Sequence, residues 1–406
     1  MGRNAVRLKL RWRDADKFIS AVHSQDRVTG LTHDFYKYPA RFSPQFSQAA
    51  IDVFSRPGDL VVDPFVGGGT SLVEARTSGR LAIGTDVSSL AIFVSRVKTR
   101  IYSGADIQYL EKWFQNLPEK LNLRQNTKQS DWWRDSGYFK NLDCQQTWAI
   151  RKSLELGVLC AARIRDNKRQ DFVRCVLLRT AQWALDGRKE IPRADQFRER
   201  IAQNAAKMLN GAQEFTRAAR KADRLSSSAG KNRTICLQSK AAGLANYVRT
   251  KCKLSPKLII TSPPYPGVHI IYHRWQVRGG RETPAPFWIA DKLDGAGETY
   301  YMMHARRGVG LNRYHDGIHE SFSSIRTVVA KGSLLIQLVA FSDPSEQLPR
   351  YLSVMNSSGF QECLLSDHLD SRDGRLWRDI PGRKWHANRK GNLASSQEVV
   401  LIHRPK

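Results

Sequence analysis

Length, composition and charge set the first limits on this chain. It has 406 residues, 41% of them hydrophobic, and a formal net charge of +27. That length fits two or three domains, or one large domain with an insertion, and the hydrophobic fraction is enough for a sizeable core. The charge favours a polyanionic partner, most simply a nucleic acid; the alternative is a generically basic protein.

The same composition argues against membrane and secreted proteins. No apolar run approaches the length of a membrane span, and the first residues lack the apolar core of a signal peptide. The six cysteines form no CxxC pair and no zinc-type pairing with histidine. We therefore expect reduced thiols, no metal site, no membrane partner and a cytoplasmic location.

A glycine-rich turn between a predicted strand and a predicted helix is the first functional signal. Residues 60–62 (LVV) have the character of a buried strand, residues 63–70 (DPFVGGGT) form the turn, and residues 71–76 open a helix. This order is typical of a doubly wound α/β sheet, in which ligands bind at the carboxyl ends of the strands.

An acidic residue lies at the tip of the next predicted strand. Residues 81–86 (LAIGTD) end in Asp86. An acid about twenty residues past a glycine turn is placed to accept hydrogen bonds from ribose hydroxyls. The glycine spacing is not GxGxxG, and no Gly-Lys-Ser/Thr follows, which counts against NAD and ATP.

The middle of the chain is predicted to be helical. Between residues 104 and 230 apolar residues recur at helical spacing, and a long helix is expected over residues 197–225. Residues 217–257 contain eleven Lys or Arg and a single acid. The region is either a helical scaffold or an insertion that contacts nucleic acid.

The most informative stretch is residues 261–265 (TSPPY), which follow a predicted strand at residues 257–260. Pro263 and Pro264 end the strand because proline has no amide hydrogen for the ladder. Their carbonyl groups lie beside the Ser262 hydroxyl and the Tyr265 ring. Acceptors next to an aromatic face can hold the exocyclic amino group of a nucleobase. The alternative is a strand that ends in a proline-rich turn.

The last part of the chain completes the predicted sheet. Residues 266–316 show little regular pattern but many aromatic and Arg side chains, so we expect long functional loops there. A helix is expected at residues 321–329, and strands are expected at residues 332–339, 360–365 and 399–402. Between the last two strands, residues 372–390 are expected to form a basic hairpin or loop.

Three segments together resemble the S-adenosylmethionine-dependent DNA methyltransferases that modify exocyclic amino groups. Residues 63–70 resemble the cofactor motif of that family, and residues 262–265 (SPPY) resemble its catalytic motif. Residues 33–44 (HDFYKYPARFSP) resemble the segment that folds over the methionine end of the cofactor. The resemblance covers about residues 30–100 and 255–340. It implies a Rossmann-like, doubly wound α/β methyltransferase fold with a largely helical insertion.

The resemblance also implies roles for individual residues. The implied catalytic residues are Ser262, Pro263, Pro264 and Tyr265. The residues implied to bind S-adenosylmethionine are Tyr36, Lys37, Tyr38, Pro39, Asp63, Pro64, Phe65, Gly67, Gly69, Thr70, Asp86 and Thr261. In the family a further strand often ends in an acid that contacts the adenine. The matching residues 234–239 (TICLQS) have none, so either the alignment is wrong or the adenine is held differently.

The chemistry that the resemblance implies is methyl transfer to the amino group of a flipped-out base. The Ser262 side chain and the Pro263 carbonyl would accept the amino hydrogens, so that the nitrogen lone pair points at the sulfonium methyl. Tyr265 would stack on the base, which must first leave the duplex. Ser before Pro-Pro-Tyr favours N4 of cytosine, and N6 of adenine is the alternative.

The sequence therefore predicts a site-specific DNA cytosine-N4 methyltransferase that acts on double-stranded DNA in a restriction–modification system. A cognate restriction endonuclease would belong to the same system without forming a stable complex. Alternatives are an adenine-N6 DNA methyltransferase, an RNA amino-methyltransferase, and a basic nucleic-acid-binding protein whose cofactor pocket has decayed.

The predicted organisation divides the catalytic domain into two parts around the insertion. Residues 1–103 form the cofactor-binding part, residues 104–230 the helical insertion, and residues 231–406 the part with the SPPY motif and DNA-facing loops. The segments that could read the DNA sequence are residues 104–230, 266–316 and 370–392.

Overall fold

The chain folds into an open α/β sheet with helices on both faces and a helical insertion. The computed structural model describes residues 5–26, 28–38, 43–125, 130–224, 234–252, 254–265, 274–290, 303, 309–365, 367–369, 373–379 and 397–406. Within these residues the strands form a nine-stranded sheet and a separate two-stranded hairpin. The strands are β1 (Val6–Arg7), β2 (Leu60–Asp63), β3 (Leu81–Asp86), β4 (Thr234–Gln238), β5 (Leu258–Thr261), β6 (Trp275–Val277), β7 (Arg281–Thr283), β8 (Leu334–Val339), β9 (Phe360–Leu364), β10 (Leu376–Asp379) and β11 (Gln397–Pro405).

The helices fall into two groups, those that cover the sheet and those of the insertion. Those that cover or flank the sheet are α1 (Trp12–His23), α2 (Pro44–Phe54), α3 (Thr70–Thr77), α4 (Ser89–Thr99), α11 (Ala241–Tyr247), α13 (Val309–Arg326) and α14 (Pro344–Ser357). Those of the insertion and its core are α5 (Gly104–Gln115), α6 (Leu117–Lys120), α7 (Ser130–Asp135), α8 (Gln145–Ala162), α9 (Asn167–Leu185), α10 (Ala194–Arg224) and α12 (Ala285–Ala290).

The strand order β1-β9-β11-β8-β5-β2-β3-β4 places β2 near the centre, and β10 pairs with β11. From β2 the chain moves outwards to β3 and β4, and later to β5 and β8 on the other side, with all these pairs parallel. β11 returns antiparallel between β8 and β9. The direction of winding reverses between β2 and β5, which is where open α/β sheets bind ligands. The predicted doubly wound sheet is confirmed.

The central strands are buried on both faces, as parallel strands between two helix layers must be. Val61 and Ile260 belong to the apolar core beneath α1, α2 and α3. Val62 and Ile259 belong to the core beneath α11, α13 and α14. Successive side chains of a strand point to opposite faces, so each short apolar run supplies both cores.

The insertion shares one apolar core with a segment from the later part of the chain. Trp275 of β6 and Trp288 of α12 are buried among residues of α8 and α9. The Arg174 guanidinium of α9 donates to the carbonyl of Ile289 at 3.1 Å. The predicted helical insertion is confirmed.

The prediction of long loops over residues 266–316 is wrong in two places. Residues 275–290 contain β6, β7 and α12, and α13 begins at Val309, before the predicted helix. Elements of three to six residues are too short for periodicity to reveal. Their apolar side chains become buried only because the insertion offers a surface, which the local sequence does not show.

Among the described residues, no helix is both long enough and apolar enough to cross a membrane.

Candidate active site

The glycine turn between β2 and α3 adopts a backbone conformation that favours glycine. Gly67 and Gly69 have φ values of +47° and +75°, in the left-handed region. A Cβ atom at Gly69 would lie 2.6 Å from Ser95 Oγ and 3.1 Å from Ser95 Cα. The turn is therefore pressed against α4, and any larger residue at Gly69 would force the two apart.

Two polar side chains of α4 hold the carbonyl groups of this turn. Ser95 Oγ donates to the Gly67 carbonyl at 3.1 Å. The Nζ of Lys98, which is completely buried, donates to the Gly68 carbonyl at 2.6 Å. Sequence reasoning missed Lys98 because lysine in a helix ordinarily marks a solvent-exposed face. The available signal was its place near the end of an otherwise apolar helix.

Tyr38 lies directly against the glycine turn. A Cβ atom at Gly68 would lie 3.0 Å from Tyr38 Cβ, and one at Gly67 would lie 3.4 Å from Tyr38 Cε1. The segment that is predicted to cover the cofactor thus contacts the glycine turn. Pro39, also predicted to bind the cofactor, lies outside the described residues.

Side chains of the insertion and of β6, which packs on it, anchor the two residues before Tyr38. The Lys37 amide donates to Gln182 Oε1 at 3.0 Å, and the Lys37 carbonyl accepts from Gln182 Nε2 at 2.9 Å. The Tyr36 hydroxyl accepts a bond from Trp275 Nε1 at 3.0 Å, and burial raises the pKa of Tyr36. Gln182 and Trp275 are therefore site-supporting residues that the motifs did not indicate.

Asp63 is buried at the end of β2, with 1% of its surface exposed, and connects three elements. Its carboxylate accepts bonds from Thr261 Oγ1 at 2.7 Å, from the Phe65 amide at 3.1 Å and from the Ser71 hydroxyl. Burial raises its pKa to about 6, although these hydrogen bonds act in the opposite direction. Since both carboxylate oxygens bond within the protein, the geometry favours a positioning role for Asp63 over direct ligand contact.

Thr70 begins α3 at the other end of the turn. It is 3% exposed, and its Oγ1 atom has no hydrogen-bond partner among the described residues. A buried hydroxyl costs free energy unless a ligand or a water molecule completes its bonding. The Pro64 carbonyl, by contrast, accepts from Thr85 Oγ1 at 3.0 Å. Thr70 Oγ1 is therefore an atom of this turn that fits a bound ligand.

Asp86 faces the same turn from the end of β3. Its Oδ2 atom accepts from the Gly67 amide at 3.0 Å, and its Oδ1 atom accepts from the Ser88 amide at 2.9 Å. The residue is only partly buried. A ligand hydroxyl at the carboxyl end of β3 can therefore reach this carboxylate.

The next strand lies where the family pattern requires it. β4 pairs with β3 in a register that aligns Gln238 with Asp86, and the Ser239 amide donates to the Asp86 carbonyl at 3.0 Å. Residues 234–239 thus contain the strand next to β3 and the residue that follows it. A serine stands at the strand tip where the family often has an acid.

Residues 261–265 leave β5 beside the glycine turn because β5 pairs with β2. Ser262 Oγ donates to the Leu338 carbonyl, in β8, at 2.9 Å. A hydroxyl has one hydrogen and two lone pairs, so this bond leaves the oxygen oriented as an acceptor. Pro263 is buried and Pro264 is partly buried.

The Tyr265 hydroxyl is bound to Glu398, which forms an ion pair with Arg378; the motifs did not indicate either residue. The hydroxyl donates to Glu398 Oε1 at 2.5 Å and lies 3.4 Å from Ser262 Oγ. Glu398 also accepts from Arg378 at 2.9 Å. Burial, and then the charge of Glu398, raise the pKa of Tyr265 well above its usual value, so the phenol stays protonated and donates. The available signal was an acid at the start of the apolar strand β11.

The described site residues lie at one edge of the sheet, where β2, β3 and β5 end side by side. Of the basic hairpin or loop expected at residues 372–390, residues 372 and 380–390 lie outside the described residues, and so do residues 266–273. Within the described part of the chain, no cluster of three or more His, Cys, Asp or Glu could hold a metal ion.

Comparison with known proteins shows a family likeness in the first part of the chain. Residues 5–93 match the model of the N6/N4 methyltransferase family, described as DNA methylase. The matched stretch contains β2, the glycine turn and Asp86. This part of the chain is thus similar to the exocyclic-amino DNA methyltransferases. The resemblance drawn from the motifs is confirmed.

Two relatives of this chain are named type II methyltransferases. The type II methyltransferase M.MjaII of Methanocaldococcus jannaschii is 34% identical over 89 residues, which cover 22% of this chain and 16% of the relative. The type II methyltransferase M.MvaI of Kocuria varians is 32% identical over 95 residues, which cover 21% of each chain. The matches thus span about a fifth or less of the length of either relative.

A solved structure was also compared. The rRNA methyltransferase aviRa of Streptomyces viridochromogenes aligns over 94% of each chain with a TM-score of 0.32 and 9% identity.

The family match implies S-adenosylmethionine as the cofactor. Three observations on this chain fit such a ligand. The glycine turn lies at the carboxyl edge of the sheet, Thr70 Oγ1 is buried without a partner among the described residues, and Asp86 lies at the tip of the next strand.

Proposed function

We propose that this protein is a DNA methyltransferase that transfers a methyl group from S-adenosylmethionine to an exocyclic amino group. One observation carries the proposal. Thr261 Oγ1 donates to Asp63 at 2.7 Å and so ties the strand that ends in Ser262 to the strand that opens the glycine turn. Two motifs that are distant in the sequence, one proposed for the methyl donor and one for the amino group, thereby lie next to each other at the carboxyl ends of β2 and β5.

On the cofactor side, the chain supplies a turn that is already formed. Asp86 holds the Gly67 amide and would accept bonds from the ribose hydroxyls. Thr70 Oγ1 would donate to the bound ligand, and Tyr38 would cover it. When bound, S-adenosylmethionine supplies a methyl group that is activated by the positive charge of the sulfonium.

On the acceptor side, the chain orients the amino group. The Ser262 hydroxyl gives its hydrogen to Leu338, so its lone pairs are directed away from that strand and can accept an amino hydrogen. The Pro263 carbonyl would accept the second hydrogen. Both bonds draw the nitrogen lone pair out of conjugation and direct it in line with the methyl group, which is catalysis by positioning.

Double-stranded DNA is the proposed substrate. The net charge of +27 favours a polyanion, and an amino group in a base pair is out of reach until the base is flipped. Tyr265 would stack on the extruded base. We place the enzyme in a restriction–modification system in the cytoplasm, with a separate endonuclease of the same specificity.

The proposed target atom is N4 of cytosine. It rests on Ser262, because the family pattern associates serine before Pro-Pro-Tyr with cytosine, and Asp or Asn with adenine. N6 of adenine is the second candidate.

Transfer of a labelled methyl group tests the function. Purified protein is incubated with labelled S-adenosylmethionine and unmodified double-stranded DNA, and the digested nucleosides are separated. We expect label in N4-methylcytosine. Label in N6-methyladenine would overturn the base assignment, and label that enters only RNA in a parallel reaction would overturn the substrate class. Failure to bind S-adenosylmethionine in calorimetry would contradict the function as a whole.

A further inference from the structure

A buried ion pair lies behind Tyr265. Glu398 is the second residue of β11, and Arg378 is its direct partner on β10. Both side chains are buried, and the Arg378 guanidinium donates twice to Glu398 Oε2, at 2.9 and 2.8 Å. Burying two charges carries a desolvation penalty that their attraction often fails to offset, so this pair is weak evidence of added stability. Another role for it has to be considered.

The two oxygens of Glu398 have different partners. Oε2 takes both bonds from Arg378, whereas Oε1 accepts the Tyr265 hydroxyl at 2.5 Å. Arg378 thus fixes the carboxylate in one orientation, and the carboxylate fixes the phenol. A hydrogen bond to an ionised acceptor is shorter and stronger than one between neutral groups. The far end of the Tyr265 ring is therefore anchored firmly.

The anchor extends to Ser262. The Tyr265 oxygen lies 3.4 Å from Ser262 Oγ, and the hydrogen of Tyr265 is directed to Glu398. The Tyr265 oxygen therefore presents only lone pairs to Ser262 and cannot compete as a donor for the Ser262 oxygen. Arg378 falls within the basic hairpin or loop expected at residues 372–390, but its side chain is buried and directed into this network.

We propose that Glu398, oriented by Arg378, is a positioning residue that acts through the Tyr265 hydroxyl. It holds the ring in the plane that stacks on the target base and keeps the Ser262 oxygen available to the amino group. The inference rests on the proposed methyl transfer, since the base and its amino group come from that proposal. Glu398 itself contacts neither the base nor the cofactor.

A double-mutant cycle of Glu398→Gln and Tyr265→Phe tests the proposal. In the otherwise unchanged enzyme, Glu398→Gln is expected to lower kcat about tenfold, because a bond to a charged acceptor is lost. The affinity for S-adenosylmethionine, measured by calorimetry, should stay within about twofold. In the Tyr265→Phe background, which lacks the hydroxyl, the same change should lower kcat by less than about twofold. Equal losses in both backgrounds would overturn the proposal.

Glu362→Gln is the matched control. Glu362 pairs with Arg375 at 2.7 and 2.9 Å. It forms a second carboxylate–guanidinium pair next to the same strands, and no tyrosine of the described residues is bonded to it. We expect kcat to be unchanged in this variant. A loss as large as that of Glu398→Gln would show that any disturbance of these strands lowers the rate, and the proposal would be wrong.

A spectroscopic signature separates this proposal from the methyl transfer itself. In protein labelled with ¹³C at the tyrosine Cζ, the Tyr265 signal is identified by its absence in Tyr265→Phe. It should shift in Glu398→Gln and stay in place in Glu362→Gln. An active wild type whose Tyr265 signal does not move in Glu398→Gln overturns the positioning role alone. A wild type that methylates no DNA overturns the proposed function and, with it, the role of Glu398 in that reaction.

Discussion

The two sides of the crevice are held by different kinds of contact. On the glycine-turn side, Asp86 accepts the Gly67 amide across a sequence separation of 19 residues. On the SPPY side, Tyr265 donates to Glu398 across a separation of 133 residues. The glycine turn is held by side chains that follow it closely in the sequence, whereas the Tyr265 hydroxyl is held by a side chain that only the completed sheet brings near it.

This difference predicts a separation of affinity from rate. The glycine turn would contact the proposed methyl donor and not the acceptor, so changes there should alter cofactor affinity. The SPPY segment orients the proposed acceptor, so changes there should alter kcat. The bond between Thr261 and Asp63 joins the two sides, and its loss should affect both.

The largest effect is expected on the SPPY side. Ser262→Ala removes the hydroxyl that accepts the amino hydrogen, and kcat should fall about 10²–10³-fold, as when one preorganised hydrogen-bonding group is removed from an active site. Cofactor affinity by calorimetry should hardly change. Unchanged turnover would refute the role of that hydroxyl.

Ser333→Ala is the matched control for Ser262→Ala. Ser333 Oγ donates to the Pro256 carbonyl at 2.6 Å, so it also joins the β5 and β8 segments, but at the opposite end of these strands. Its loss should lower thermal stability and leave kcat as it was. A comparable loss of kcat would mean that β5–β8 packing, and not the Ser262 oxygen, sets the rate.

A smaller effect, on affinity, is expected from Gly69→Ala. The new Cβ would collide with Ser95 and would stand at a φ of +75°, so the turn must shift. The dissociation constant for S-adenosylmethionine should rise about tenfold or more. Gly79→Ala has a similar φ of +79° but meets nothing closer than 3.4 Å, at the opposite edge of the sheet. Gly79→Ala should lower the stability of the fold and leave the affinity for S-adenosylmethionine unchanged. Weakened cofactor binding in Gly79→Ala would show that the effect of Gly69→Ala is not specific to the glycine turn.

Thr261→Val breaks the bond between the two sides at nearly constant volume. Loss of one hydrogen bond to a buried carboxylate should weaken cofactor binding and lower kcat, each by about threefold to tenfold. The Thr261 bond lowers the pKa of Asp63, so that pKa should rise further in the variant. Steady-state kinetics and calorimetry check the pair of effects. A change confined to one parameter would show that the two sides are not coupled through this bond.

The smallest effect on the reaction is expected from Glu74→Gln in α3. Burial, followed by the negative charge of Asp52, raises the pKa of Glu74 from 4.5 to about 8. Glu74 Oε1 lies 2.7 Å from His33 Nε2. The unfolded chain loses the Glu74 proton near pH 4.5 and the native state keeps it to about pH 8, so native stability falls as pH rises through that window. Glu74→Gln should flatten this slope in thermal unfolding and leave kcat unchanged. A slope equal to that of the wild type would exclude Glu74 as its source.

The sequence predicted the glycine-turn side well because its determinants are local. The strand before Asp63, the left-handed Gly67 and Gly69, and the acid at Asp86 follow each other within one strand–turn–helix–strand unit. Glycine at forced φ values and an acid at a strand tip are visible without any tertiary knowledge.

The partners of the SPPY segment could not be predicted in this way. Glu398 and Arg378 meet Tyr265 only because β11 returns antiparallel beside β8, and no local pattern encodes that pairing. Likewise Lys98 resembles an ordinary surface lysine until the glycine turn is packed against α4. These contacts depend on long-range register, which composition and periodicity do not report.

The core that residues 275–290 share with the insertion bears on how such a gene could be recombined. Trp275, which follows the SPPY motif in the chain, is buried in the apolar core of the insertion. Its Nε1 atom donates a hydrogen bond to the Tyr36 hydroxyl. Residues 104–224 are therefore not a cassette that can be exchanged alone. A working chimera between relatives would have to inherit two separate stretches of coding sequence at once, and crossovers between them should yield few active products.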